Sequence, residues 1–142
     1  MSSLLRRRER IARVRRVEHV QAAVAVQAAE RQLESLEQSA RRLMELRVSL
    51  TADAGMTSAD TLSAQGELAY RLDMARFGLT DAIAGARATV ETKDADRIEA
   101  RKRQESAVKL GERAAVQADR RAERRAATYA RPRSVRQLED EA

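Results

Sequence analysis

The amino-acid sequence predicts an all-α protein, an antiparallel two-helix coiled-coil hairpin with an overshooting second helix. Three observations predict this fold. Charged residues make up 35% of the chain and aromatic residues only 2%, which is typical of long helices and not of a thick globular core. One cluster of Gly, Thr, Ser and Asp, at residues 51–60, separates two helix-forming stretches. Both stretches repeat apolar residues at alternating steps of three and four, as coiled coils do.

The chain is expected to form one domain. Its predicted elements are a helix over about 3–50, a turn over about 51–57, a helix over about 58–131, and an acidic tail, 132–142. At 1.5 Å per residue the helices would be ~70 Å and ~110 Å long. Ser58 or Thr57 can cap the second helix, and Asp60 suits the positive end of its dipole. Pro132 offers the stop after it.

A heptad stripe on each helix predicts the seam between them. The stripe on the first helix comprises Ala22, Val26, Ala29, Leu33, Leu36, Ala40, Leu43 and Leu50, with Arg47 at the one polar position. The stripe on the second comprises Leu68, Leu72, Ala75, Leu79, Ala82, Ala86 and Val90. With the turn centred near residue 54, residue i is expected to face about residue 108 minus i. By this relation, Ala107–Tyr129 has no intramolecular partner. The segment is then either a face that binds a partner or a frayed, Ala-rich helix end.

Positive charge is concentrated near both ends of the sequence. Residues 1–20 hold seven Arg against two Glu, and residues 113–136 hold eight Arg against two acids, in a chain of net charge +6. A hairpin would bring these two segments together as a basic tip. Like charges placed side by side repel, so the basic tip does not stabilise the fold. Binding to an acidic partner would explain it. The alternative interpretation is that Arg serves as a helix former and solubiliser.

The residues needed for most catalytic and cofactor sites are missing. There is no Cys, so disulfides and thiolate metal sites are excluded, and His19 is the single histidine, expected to be solvated or at the seam edge. The five Gly are scattered and form no phosphate-binding loop. We therefore expect a protein that is not an enzyme, with no metal or other cofactor. No signal peptide or membrane span is predicted, which favours a cytoplasmic protein.

This basic hairpin resembles the FliJ family of the flagellar type III export apparatus, with the YscO-type stalk of virulence secretion as a close variant. The local match runs from Leu50–Asp53 through the turn to a stripe on the second helix. The resemblance implies that this stripe contacts the export gate, although the same residues fit a plain seam role: Leu68, Leu72, Ala75 and Leu79. Pro132 departs from the family pattern, since Leu138, Asp140 and Glu141 of the tail follow a helix break.

The resemblance also implies partners. The end formed by both termini would enter the hexameric export ATPase ring, and the other partners would be the cytoplasmic domain of an export-gate membrane protein and export chaperones. The protein would then be cytoplasmic, or peripheral at the inner membrane through the export apparatus. The candidate ring contacts are Arg6, Arg7, Arg10, Arg13, Arg120, Arg121, Arg124 and Arg125.

Three other functions fit parts of the sequence. A pI of about 10.6 fits a nonspecific nucleic-acid-binding coiled coil, although the Arg clusters lack interleaved aromatic residues. A hairpin probing a polymerase channel would use Asp53 and Asp60 of the turn, but such factors carry a further domain. A generic structural coiled coil, including one that dimerises through Ala107–Ala118, is the third.

Overall fold

The chain folds into two long helices that pack against each other, in a computed structural model that describes residues 2–52 and 58–130. Helix α1 spans Ser3–Ala52 and helix α2 spans Ala59–Tyr129. No strand occurs in these two ranges. The predicted all-α helical hairpin is therefore confirmed. Most of the expected turn, and all of the expected tail with Pro132, lie outside the described residues.

A serine caps the start of each helix. The Ser2 hydroxyl accepts a hydrogen bond from the Leu5 amide at 3.3 Å, and the Ser58 hydroxyl accepts one from the Thr61 amide at 3.4 Å. Such bonds satisfy amide groups that have no partner within the helix. Of the two predicted caps of the second helix, Ser58 takes the role, and Asp60 lies in the first turn of α2. Thr57 is outside the described residues.

The chain divides into two compact units, which are treated separately below. The central unit is Val20–Glu99. The terminal unit consists of Met1–His19 together with Ala100–Ala142, of which residues 2–19 and 100–130 are described. Each unit therefore contains one stretch of α1 and one of α2.

In the central unit, the stripe predicted on α1 does form the seam. Val26 is buried, with 7% of its surface exposed, and the other members of the stripe are half-buried. The stripe predicted on α2 is only partly correct. Leu72, Leu79, Ala86 and Val90 are half-buried in the seam, but three members are exposed and are replaced by the residue that follows each of them. The exposed members are Leu68, Ala75 and Ala82, and the residues that replace them are Ala69, Arg76 and Ile83.

The predicted alignment of the two helices was wrong. Arg47 was expected to face residue 61, but its Nε lies 3.2 Å from a carboxylate oxygen of Asp73, twelve residues further along α2. Glu37 was expected to face residue 71, and its carboxylate lies 3.3 Å from the Arg87 guanidinium, sixteen residues further. The displacement is about two heptads. A seven-residue pattern buries the same faces after such a shift, so it cannot fix the alignment alone.

The terminal unit corrects the expected overhang. Ala107 and Ala114 are buried, at 7% and 9% exposure, although both were predicted to lack an intramolecular partner. The shifted alignment explains this, because it carries the first residues of α1 further along α2. The half-buried neighbours on the same face are Ala100, Gln104, Gly111 and Ala118. His19 is half-buried and lines a groove of about 360 Å³ with Val108 of α2.

Candidate functional site

All eight arginines predicted as ring contacts belong to the terminal unit, and all eight are exposed. Arg6, Arg10 and Arg13 follow the i, i+4, i+7 spacing that places side chains on one face of a helix. The four on α2 form two neighbouring i, i+4 pairs, Arg120 with Arg124 and Arg121 with Arg125. The structure therefore brings both Arg-rich segments into one compact unit, as the hairpin prediction required.

None of these eight side chains forms an ion pair within the described part of the chain. Other arginines of the terminal unit do form ion pairs: Arg15 binds Glu18 at 2.8 Å and Arg101 binds Glu105 at 3.0 Å. Among the eight, Arg125 donates a hydrogen bond to the Arg121 carbonyl oxygen at 3.4 Å, which leaves its charge uncompensated. These guanidinium groups are thus free to meet carboxylates or phosphates of a partner, in the bidentate geometry that Arg favours.

The two units differ sharply in charge. The described residues of the terminal unit contain sixteen Lys or Arg and six Asp or Glu, a net charge of +10. Those of the central unit contain nine Lys or Arg and twelve Asp or Glu, a net charge of −3. A positive field of this kind attracts acidic partners and accelerates their association, and salt weakens both effects.

An apolar strip accompanies the arginines on α1. A shallow groove of about 500 Å³ is lined by Ile11 and Val14, flanked by Arg7, Arg10 and Arg15, with Glu18 at its end. Val14 is more than half exposed. A partner that binds the arginines can therefore bury apolar surface at the same place, which adds affinity that salt does not remove. The sequence analysis did not single out this strip.

The four residues predicted to contact the export gate do not share one exposed surface. Leu72 and Leu79 are half-buried in the seam of the central unit, while Leu68 and Ala75 are exposed beside it. Leu68 has 47% of its surface exposed. A partner approaching this stripe would reach Leu68 and Ala75 first, since the other two already contact the seam.

Sequence reasoning missed the two most exposed large apolar side chains among the described residues of the central unit, and two exposed methionines near them. Tyr70 and Phe77 of α2 are 66% and 70% exposed, and Met74 of α2 and Met44 of α1 are each more than half exposed. Tyr70, Met74 and Phe77 are spaced i, i+4, i+7, a signal readable from the sequence. It was overlooked because the neighbouring Leu68, Leu72, Ala75 and Leu79 follow the same spacing and were taken as the apolar face.

Residues 2–52 and 58–130 contain no group of three or more His, Cys, Asp or Glu arranged to hold a metal ion. Neither helix, over its described length, is apolar enough to cross a membrane. Comparison with protein-family models, with curated protein sequences and with solved structures finds no match to this chain.

Proposed function

We propose that this protein is a non-catalytic stalk and adaptor of a bacterial flagellar type III export apparatus, of the FliJ type. In this function it binds the hexameric export ATPase ring through the eight arginines of the terminal unit and couples the ring to the export gate. The observation that supports the proposal most is the grouping of these exposed arginines, without ion pairs among the described residues, in one unit of net charge +10.

The eight arginines can bind a surface that carries carboxylates. The helices fix the spacing of these residues along the backbone, and their guanidinium groups, which form no ion pair within the described residues, can reach carboxylates arranged at a matching spacing. The apolar strip of Ile11 and Val14 gives such a partner an apolar contact between the charges. A protein ring with acidic inner loops would offer carboxylates to the arginines and apolar surface to this strip. This function places the protein in the cytoplasm, or at the inner membrane through its partners.

The contact with the export gate is assigned to the exposed members of the predicted stripe. Leu68 and Ala75 are available to a partner, and Leu72 and Leu79 support them from the seam. Export chaperones are further candidate partners of the same adaptor. The gate contact does not involve the arginines of the terminal unit, so ring binding and gate binding can be tested separately.

The decisive experiment is the steady-state ATP hydrolysis rate of the cognate export ATPase with and without this protein. We expect a rise in rate accompanied by hexamer formation, and loss of the rise when Arg10→Glu and Arg13→Glu are combined with Arg121→Glu and Arg124→Glu. Because these side chains are exposed, the helical circular dichroism of the variant should not change.

A matched control makes the same type of substitution, Arg to Glu, in the central unit. Arg31 and Arg42 are exposed and form no ion pair within the described residues, so Arg31→Glu with Arg42→Glu should preserve stimulation. The double change Arg10→Glu with Arg13→Glu, at equal cost in net charge, should reduce it. Equal stimulation by the two double variants would contradict ring binding through the terminal unit.

A nonspecific nucleic-acid binder is the second candidate function. The same arginines can follow phosphates, and Tyr129, 86% exposed and four residues after Arg125, offers a ring on which a base can stack. Binding of duplex and single-stranded DNA across a salt series separates the two functions. Tight, salt-sensitive DNA binding with no change in ATPase rate would favour this candidate. The absence of both effects would leave the generic structural coiled coil.

A further inference from the structure

The exposed aromatic and methionine side chains of the central unit form a surface that ring binding does not use. Tyr70, Met74 and Phe77 lie on one face of α2 and extend over about 10 Å, two turns of helix. The chain contains only one Phe and two Tyr, and the Phe and one Tyr are exposed here instead of in the seam. Large exposed apolar side chains grouped in this way mark interaction sites.

A groove adjoins this face. Phe77 of α2 and Met44 of α1 stand at a groove of about 420 Å³ whose apolar walls also include Ala40 and Ile83. Both helices of the central unit therefore contribute to it. Methionine adapts its shape to different apolar partners, and exposed aromatic residues supply much of the binding energy at interfaces. An amphipathic helix is one kind of partner that binds such an apolar groove, with anchor residues at i, i+4 and i+7.

The polar lining of the groove indicates the charge of its partner. Arg41 and Arg76 line it and form no ion pair within the described residues. The one carboxylate in the lining belongs to Asp73, and it already binds Arg47 at 3.2 Å. The groove therefore presents two uncompensated positive charges in a unit whose described residues total −3. Carboxylates on the partner would pair with these two arginines.

We propose that the groove between Met44 and Phe77, with the adjoining Tyr70 and Met74, binds an acidic amphipathic helix of a partner protein. The large apolar residues of that helix would contact Phe77 and Met44, and its flanking Glu or Asp would bind Arg41 and Arg76. The proposal goes beyond the proposed ring binding and is independent of it, because it uses no residue of the terminal unit.

A second copy of this chain fits the surface less well. In a two-fold symmetric dimer the same patch lies on both sides of the interface, so both sides would carry the positive charges of Arg41 and Arg76, and the one carboxylate in the groove lining already binds Arg47. Unpaired like charges at an interface are unfavourable. An acidic helix removes this repulsion and covers the same apolar side chains.

The test uses synthetic helical peptides of about 20 residues, long enough to be helical in water. The acidic probe carries Leu at i, i+4 and i+7 positions with Glu beside them and Ala elsewhere. One control peptide redistributes the same residues around the helix, and another replaces Glu by Lys. Binding to the full chain is followed by fluorescence anisotropy and by NMR of 13C-labelled methionine methyl groups, with Met1 and Met56 as references within the same spectrum.

We expect the acidic amphipathic peptide to bind and to shift the Met44 and Met74 methyl signals more than the reference signals. Phe77→Ala should weaken binding about tenfold or more, as loss of an interface anchor does. Arg41→Gln should weaken binding of the acidic probe. Val48→Ala is the matched control, because Val48 is also a large apolar residue of the same unit, 58% exposed, but does not line the groove, and it should leave affinity unchanged.

Several outcomes would overturn the proposal. These are no binding of the acidic probe, equal binding of the three peptides, or equal affinity of the Phe77→Ala and unchanged chains while both remain helical by circular dichroism. A dimer in sedimentation equilibrium that Phe77→Ala dissociates would assign the surface to a second copy instead. None of these results depends on ATPase stimulation, so failure here and failure of the proposed function are distinguishable.

Discussion

The terminal and central units are made from the same two helices. They differ in the residues that pack between the helices and in the side chains that are exposed to partners. The terminal unit buries Ala107 and Ala114 and presents eight exposed arginines that form no ion pair within the described residues. The central unit buries Val26, has the ion pairs of Arg47 with Asp73 and of Glu37 with Arg87 between its helices, and presents aromatic and methionine side chains. One repeating pattern of apolar positions can thus support a charged binding surface in one place and an apolar one in another.

The sharpest test of the central unit is a charge in its seam. Val26→Asp should lower the free energy of unfolding by about 3 kcal/mol, because a carboxylate at this position loses water without gaining a partner. Val24→Asp places the same charge two residues earlier, where more than half of the side chain is exposed, and should change stability by about 0.5 kcal/mol or less. Urea denaturation followed by circular dichroism measures both. Equal losses would mean that burial at Val26 does not stabilise this unit.

Much of the fold was predictable from the sequence because it depends on local signals. The cluster of small and polar residues separated two helices, Ser58 was one of the two predicted caps, and the stripe on α1 was predicted residue by residue. The faces of α2 were harder. Leu68, Ala75 and Ala82 satisfy the heptad rule as well as Ala69, Arg76 and Ile83 do if only spacing is considered, and Arg76 is a residue that a search for apolar positions passes over.

The terminal unit is tested by a change in side-chain size. Ala107→Leu should cost about 1–3 kcal/mol, since a larger side chain at a buried alanine forces neighbouring groups to move. Ala75→Leu, at an exposed position of α2 in the central unit, is the control and should alter stability by about 0.5 kcal/mol or less. A neutral or stabilising Ala107→Leu would indicate that residues near Ala107 have room for a partner, as the overhang prediction proposed.

The smallest expected effect concerns the ion pairs that align the helices of the central unit. A double-mutant cycle of Arg47→Ala and Asp73→Ala should give a coupling energy of about 0.2–1 kcal/mol, because both side chains are partly exposed and water screens their attraction. The coupling should fall as salt rises. A cycle of Arg47→Ala with Asp60→Ala, an exposed acid one residue from the position that the earlier alignment placed opposite Arg47, should give none.

The candidate sites, too, could be predicted only in part from the sequence. Exposure of the eight arginines followed from their charge, and the hairpin predicted that they would share a unit. Their lack of ion pairs depends on which acids α2 brings near, and so on the alignment. The groove at Phe77 depends on the alignment too, since Met44 meets Phe77 only when α2 is displaced by about two heptads from the predicted position.

The same heptad repeat that allowed the wrong alignment to be predicted also affects how the chain folds. Because the seam repeats every seven residues, the two helices can pair in several alignments. Successive alignments shift one helix along the other by about 10 Å and bury comparable apolar faces. Such competing minima roughen the folding landscape, because a chain that first closes in the wrong alignment must separate before it can pair again. The ion pairs of Arg47 with Asp73 and of Glu37 with Arg87 do not repeat along the seam, so they form in the native alignment and not in the shifted ones. Interactions that are individually weak therefore contribute to selecting one alignment among several that bury similar apolar faces.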